Sequence, residues 1–199
     1  RGARSLVLAS RSGALAVDMG VEWEAMEASG ATASLEQCDT GEAVHVLRLV
    51  ARASSLSLVW HAAGVLADAV LPHQDAAGVA RVFAPQAYGA WSLHTAGATS
   101  AMDAVALFSS VAALLGGAGQ ANYAAANACL DALATSRRTN GVAAASVQWG
   151  AWAEVWVACA TRRTHAARAS PSPRAPSTPA RAAARPRTAS GAAAPPAAP

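Results

Sequence analysis

The sequence predicts a doubly wound α/β fold, a parallel sheet with helices on both faces, and two observations carry that prediction. Short apolar runs of strand length alternate with longer stretches of helical character along residues 1–155, the order that builds a parallel sheet. The strand-like runs also end in small or polar residues, at Arg11, Asp39, the 61–64 turn and Ser110. Ligands of such sheets bind at the carboxyl ends of the strands.

The elements follow in order. "SLVLAS" (5–10) is a short apolar run that reads as a buried strand. Residues 18–29 have helical character and stop at Gly30. "TASLEQ" (32–37) alternates and suits a second strand. "TGEAVHVLRLVARA" (40–53) sets Val44, Leu47 and Val50 at helical spacing behind a candidate cap, Thr40. "LSLVWHAAG" (56–64) is a strand running into a small-residue turn. Residues 75–97 read as a long helix interrupted at Pro85 and Gly89. "AVALFSS" (104–110) is another buried strand, 120–137 the clearest helix, and "AAASVQWG" (143–150) the last strand.

Composition narrows the function classes. The chain has no lysine, and residues 1–154 carry eight arginines against twelve acids, a balance of −4. Residues 155–199 carry seven arginines and no acid, so the basic character belongs to the tail. The folded part offers no footprint for nucleic acid. Eight of the ten prolines fall between Pro171 and Pro199, a composition that cannot bury a core. Residues 156–199 are therefore expected to be a disordered tail. Cys38, Cys129 and Cys159 are odd in number and lack metal-ligand spacing. No metal site is expected, and the thiols read as buried or idle in a reducing compartment. No apolar run reaches membrane-span length and no signal peptide is apparent, so a cytoplasmic protein without membrane contact is expected. The chain begins at Arg1 and reads as a piece of something longer.

Chemistry concentrates in "FSSVAALLGGAGQANYAAAN" (108–127). Ser110 and Tyr123 lie thirteen positions apart, and Asn127 follows Tyr123 by four, on the same side of a helix. This is either a small-residue packing surface or a site that moves a hydride and a proton. Ser10-Arg11 follows the first strand, where an arginine fork suits a 2′-phosphate or is a plain loop arginine. Asp39, just before "TGEAV", suits a helix N-cap. "HAAG" (61–64) could let backbone approach a ligand closely or serve packing alone. His73 and His94 read as structural.

Several stretches together resemble the ketoreductase domain of modular type I polyketide synthases, a branch of the short-chain dehydrogenase/reductase superfamily. They are "RGARSLVLASRSG", "CDTGEAV", "HAAGVLADAVL", "RVFAPQAYGAWSLH", "LFSSVAALLGGAGQANYAAANACLDALA" and "VQWGAWAEV", in family order across residues 1–155. The resemblance implies a Rossmann-like domain that uses NADPH to reduce a β-ketoacyl chain tethered to an acyl carrier protein, among neighbouring synthase domains. It implies that Tyr123 donates the proton, Ser110 positions the carbonyl, and Asn127 completes the set. It assigns Ser10, Arg11, Asp39, His61, Ala62, Ala63 and Gly64 to the cofactor. Asp68, which keeps the last acid of a family Leu-Asp-Asp motif, Leu115 and Asn122 are similar to markers of the B-type, which gives a D-configured 3-hydroxyl. Trp149 is expected beneath the loop after the last strand, near substrate.

The chain also departs from the family pattern. The glycine-rich turn and the strand before it are missing from these residues, and that turn cradles a pyrophosphate. The family's catalytic lysine falls at Gln86, twenty-four residues before Ser110. After "WGAWAEV" the family continues into a helical lid, whereas this chain reads "WVACATRRTHAARASPSP". Two other readings therefore stand beside the enzyme: an inactive structural ketoreductase fragment, and a free-standing short-chain dehydrogenase. Enzymes of the latter kind usually carry lysine where this chain has Asn127.

Overall fold

The computed structural model describes residues 4–53, 56–97 and 102–150. The tail expected at 156–199 lies outside the described residues. Five strands alternate with helices: β1 (Ser5–Ser10), α1 (Gly20–Ala28), β2 (Thr32–Gln37), α2 (Ala43–Arg52) and β3 (Leu56–His61). A 3₁₀ turn at Leu71–His73 leads to α3 (Ala76–Phe83), a π turn (Ala84–Tyr88) and α4 (Gly89–Gly97). Then come β4 (Met102–Ser110), the short α5 (Ala112–Leu115), α6 (Ala121–Thr139) and β5 (Ala143–Trp149). Among the described residues no helix is long and apolar enough to cross a membrane.

Local chemistry explains most boundaries. Gly30, at φ +81, ends α1 in a conformation that other residues resist. Asp75 caps α3 by accepting from the amide of Gly78 at 2.6 Å. Thr40 does not cap α2. That helix starts later, behind Glu42 and with no side-chain cap, because the Thr40 hydroxyl is engaged elsewhere. Asp39 is not the cap either; its Oδ1 accepts from the Gly41 amide at 2.9 Å and shapes the turn before α2.

All strand pairs are parallel, as alternating strands and helices require, but the sheet is in two sections. β1 pairs with β2 from Ser5↔Thr32 to Ser10↔Gln37. β4 lies between β3 and β5, with Leu107 opposite both His61 and Ser146. No described ladder joins β1 to β3. In the doubly wound order 3-2-1-4-5-6, the pair β2-β1 corresponds to lanes 3-2 and the section β3-β4-β5 to lanes 4-5-6.

The core sits on one face of the larger section. Val105 and Leu107 of β4 pack with Leu130, Leu133 and Ala134 of α6, Leu93 and Ala96 of α4, and Val46 and Val50 of α2. Each fully buried leucine or valine is worth about 1.5–3 kcal/mol. Asp131 ties α6 to β5 by accepting from Ser146 Oγ and from Gln148 Nε2 at 3.0 Å. The expected cover on both faces is not found among the described residues. Trp60 is 67% exposed and Leu58 52% on the opposite face, where Phe108 stacks between Trp60 and Trp149. β1 is likewise exposed, not buried as its apolar run predicts, since Val7 and Leu8 belong to the detached two-stranded section.

Candidate active site

The site is built where β3 and β4 end, under the first turns of α6. α6 packs on β4 and on the π turn, so residues from three separate stretches converge. Ser109 Oγ donates to the backbone carbonyl of Asn127 at 3.3 Å, pinning α6 to the end of β4. The next residue, Ser110, is half-buried, and its Oγ accepts from the Ala112 amide at 3.1 Å. A serine hydroxyl used this way keeps its own hydrogen free to donate.

On α6, Tyr123 is half-buried and Asn127 fully buried. Asn127 Nδ2 donates to the Tyr123 carbonyl at 2.9 Å, whereas its Oδ1 has no partner among the described residues. Gln86, 3% exposed, shows the same imbalance: its Oε1 is buried without a partner. An unsatisfied buried acceptor costs about 1–3 kcal/mol. Both carboxamides lie out of contact with solvent, Asn127 0% and Gln86 3% exposed.

Gln86 sits in the π turn, and Pro85 explains that turn. Proline supplies no amide to the helix and crowds the preceding turn, so the helix widens locally instead of breaking. The carbonyls there take side-chain donors. Thr40 Oγ1 donates to the Pro85 carbonyl at 3.3 Å, and His61 Nε2 pairs with the Gln86 carbonyl at 3.1 Å. His61 is 3% exposed, and burial pushes its pKa down, partly offset by the Gln86 and Pro85 carbonyls. It is a neutral imidazole turned toward the π turn, so the exposed part of "HAAG" is Ala62 and Gly64, with Ala63 half-buried. A Cβ at Gly64 would meet Gln86 Nε2 at 3.1 Å, so a side chain there would crowd the amide.

The loop after β3 is tied to the start of α6. Asn122 Nδ2 donates to the Ala67 carbonyl at 2.8 Å, and its Oδ1 accepts from the Tyr123 amide at 2.8 Å. Gln120 Nε2 donates to Asp68 Oδ2 at 3.2 Å. Asp68 and Asn122 thus belong to one cluster, while Leu115 stands 84% exposed at the end of α5. Trp149 stacks on Phe108, with centroids 5.4 Å apart, on the sheet face away from α6.

A second group of the residues singled out from the sequence lies at the ends of β1 and β2. Ser10 Oγ accepts from the Gly13 amide at 3.1 Å, and Gln37 Nε2 donates to the Arg11 carbonyl at 3.1 Å. These bonds fix the turn and leave the Arg11 side chain exposed. Among the described residues the ion pair is Arg52 with Glu36, not Arg11. Gly13, at φ +64, passes so close to Gln37 that a Cβ would lie 2.9 Å from the Gln37 Cβ. His94 is structural, accepting from the buried Arg137 guanidinium at 2.9 Å.

Sequence reasoning missed Thr40, Gln37, Ser109 and Gln120. Pro85 inside a helical stretch was the available signal for Thr40, because a proline there frees carbonyls that must find donors.

Comparison with known proteins defines the class. The KR domain family matches residues 1–154. The chain belongs to this family, the ketoreductase domains of polyketide synthases. It is 44% identical over 154 residues to the polyketide synthase GfsA of Streptomyces halstedii, covering 76% of this chain and 2% of that protein. A similar 44% over 158 residues relates it to the pikromycin polyketide synthase component PikAII of Streptomyces venezuelae, covering 77% of this chain and 4% of that one. A solved structure of A-type ketoreductases from a modular polyketide synthase superposes with TM-score 0.70 and 39% identity. That match covers 76% of this chain and 33% of the other. The chain thus spans a few per cent of these synthases and a third of the solved ketoreductase. Members of this family are oxidoreductases that bind a nicotinamide cofactor.

Proposed function

We propose that the chain reduces the β-keto group of an acyl thioester carried by an acyl carrier protein to the 3-hydroxy form. The reading extends to NADPH as the cofactor, to neighbouring synthase domains as partners, to polyketide or fatty-acid-like biosynthesis, and to the cytoplasm as location. The observation that supports it most is the packing of α6, which carries Tyr123 and Asn127, on the end of β4, which carries Ser110, and on the π turn that carries Gln86.

The residues present fit a nicotinamide nucleotide. Arg11, exposed on a fixed turn, would hold a 2′-phosphate by paired charge-assisted bonds. Asp39 would serve the adenine side, with Ser10 shaping the Arg11 turn. Ala62, Ala63 and Gly64 would lie along the cofactor, with His61 holding their strand end from beneath. When bound, the cofactor supplies the hydride.

The chain's own part is to handle charge and proton. Ser110 donates its free hydroxyl hydrogen to the ketone oxygen and sets its orientation. Tyr123 gives its phenolic proton to that oxygen as negative charge develops. Asn127 holds the carbonyl of Tyr123 and so the turn that presents it. Gln86 offers hydrogen bonds but no charge, and this favours a second reading: a ketoreductase fold without turnover.

Turnover separates the two. The assay form carries, ahead of Arg1, the strand, glycine-rich turn and helix of a solved ketoreductase, to fill the lane between β1 and β3. Consumption of NADPH with a β-ketoacyl thioester, faster than with NADH, supports the first reading. Asp68 and Asn122 further lead to a D-configured product, read by chiral separation. No consumption with either cofactor supports the silent fold.

A further inference from the structure

The loops after β2 and β3 grip the π turn from two sides. Thr40 Oγ1 reaches the Pro85 carbonyl at 3.3 Å, and His61 Nε2 reaches the adjacent Gln86 carbonyl at 3.1 Å. Both grips need close approach, and glycines provide it. A Cβ on Gly89 would lie 3.0 Å from Thr40 Cβ and 3.2 Å from His61 Cε1. A Cβ on Gly41 would lie 3.2 Å from the Cβ of Ala84, the first residue of the π turn. Thr40 is half-buried and His61 buried, so both bonds are sheltered from competing water.

We infer that Thr40 and His61 are positioning residues that hold the π turn, and through it fix the carboxamide of Gln86 in the site. The inference rests on reading Gln86 as part of the catalytic set. A π turn is a strained, adjustable piece of helix, and Pro85 supplies no amide of its own to stiffen it. The two side-chain bonds at successive carbonyls restrict how that turn can rotate. Gln86 lies between them and carries a buried oxygen with no partner. Its own side chain therefore makes no bond through that oxygen to hold it. The grip also joins the two ends of the proposed site. Thr40 follows Asp39, on the nucleoside side, while Gln86 stands by α6. Misplacement of a reacting group by about 1 Å costs on the order of a hundred-fold in rate.

The test follows the Gln86 side-chain NH₂ signal by ¹⁵N-¹H correlation NMR on the full chain, assigned by its loss in Gln86→Glu. Thr40→Val and His61→Phe remove the two donors while keeping bulk; Thr40→Ser and His61→Gln keep a donor. The Val and Phe variants are expected to shift or broaden the Gln86 signal, and the Ser and Gln variants to return it toward the parent position. In the turnover assay above, Thr40→Val is expected to lower kcat about ten-fold with KM for NADPH little changed, and His61→Phe to lower kcat at least as much, with recovery in the Ser and Gln variants. An unmoved Gln86 signal in folded Thr40→Val overturns the inference, even if His61→Phe fails to fold. A moved signal with kcat unchanged in Thr40→Val also overturns it. If the parent has no turnover, the proposed reduction fails, and the NMR signal alone decides whether these residues position Gln86.

Discussion

Asn127 donates from Nδ2 to the backbone carbonyl of Tyr123 at 2.9 Å while its buried Oδ1 accepts from no described residue. One half of the amide holds the helix, and the other half is unpaired. Replacing Asn127 with leucine of similar volume removes a bond worth about 1 kcal/mol, but also an orphaned acceptor that costs about 1–3 kcal/mol. The folded chain should therefore melt at the parent temperature or a few degrees above it. Turnover in the filled-lane form should fall at least ten-fold. A variant that melts well below the parent would mean that Oδ1 has a stabilising partner in solution.

Gln86→Lys should raise turnover of a β-ketoacyl thioester about ten-fold or more, a gain of about 1.4 kcal/mol in the barrier. The π turn that carries Gln86 packs on α6, and an ammonium there would stabilise the phenolate left on Tyr123 after proton donation, which a neutral amide does not. The same substitution should lower the melting temperature, because it buries a charge at a position only 3% exposed. Steady-state rates of both forms at saturating NADPH check this. Equal rates would show that charge at position 86 is not limiting.

His61 sets a pH dependence. Burial lowers its pKa in the folded chain below the ordinary value of 6.5. Between those two values the unfolded chain binds more protons, so stability rises with pH. The contribution is complete above about pH 6.5 and is lost as pH falls toward the folded value. Denaturant midpoints should drop on acidification from about pH 7.5 to about pH 5.5, and His61→Gln should flatten part of that drop. An equal drop in the variant would remove His61 as its source.

Much of this was legible in the sequence because local rules governed it. β1, β2 and the C-terminal end of β4 stand where their apolar runs end, and Gly30 stops α1 as expected. The order of motifs around Ser110 and Tyr123 led directly to the family. What was not legible depended on partners distant in the chain. Thr40 reads as a cap from its neighbours, yet its bond goes to Pro85, forty-five residues on. Val7 reads as buried from its apolar run, and the expected cover on both faces would enclose Trp60, but burial needs a covering layer or a paired edge, and no local pattern reports either. The widened turn at Gln86 was signalled by Pro85, although proline alone does not distinguish a kink from a π turn.

Tyr123→Phe tests the proposed chemistry most directly. The substitution deletes one hydroxyl from a half-buried ring and leaves the bonds of Asn122 and Asn127 to the Tyr123 backbone in place. In the filled-lane form, reduction of a β-ketoacyl thioester should fall at least a hundred-fold, the scale of a lost general acid. NADPH affinity by fluorescence titration should stay within about two-fold, since the phenol is the proton donor and not an anchor. Reduction at near-parental rate in a variant that binds NADPH normally would contradict the role given to Tyr123.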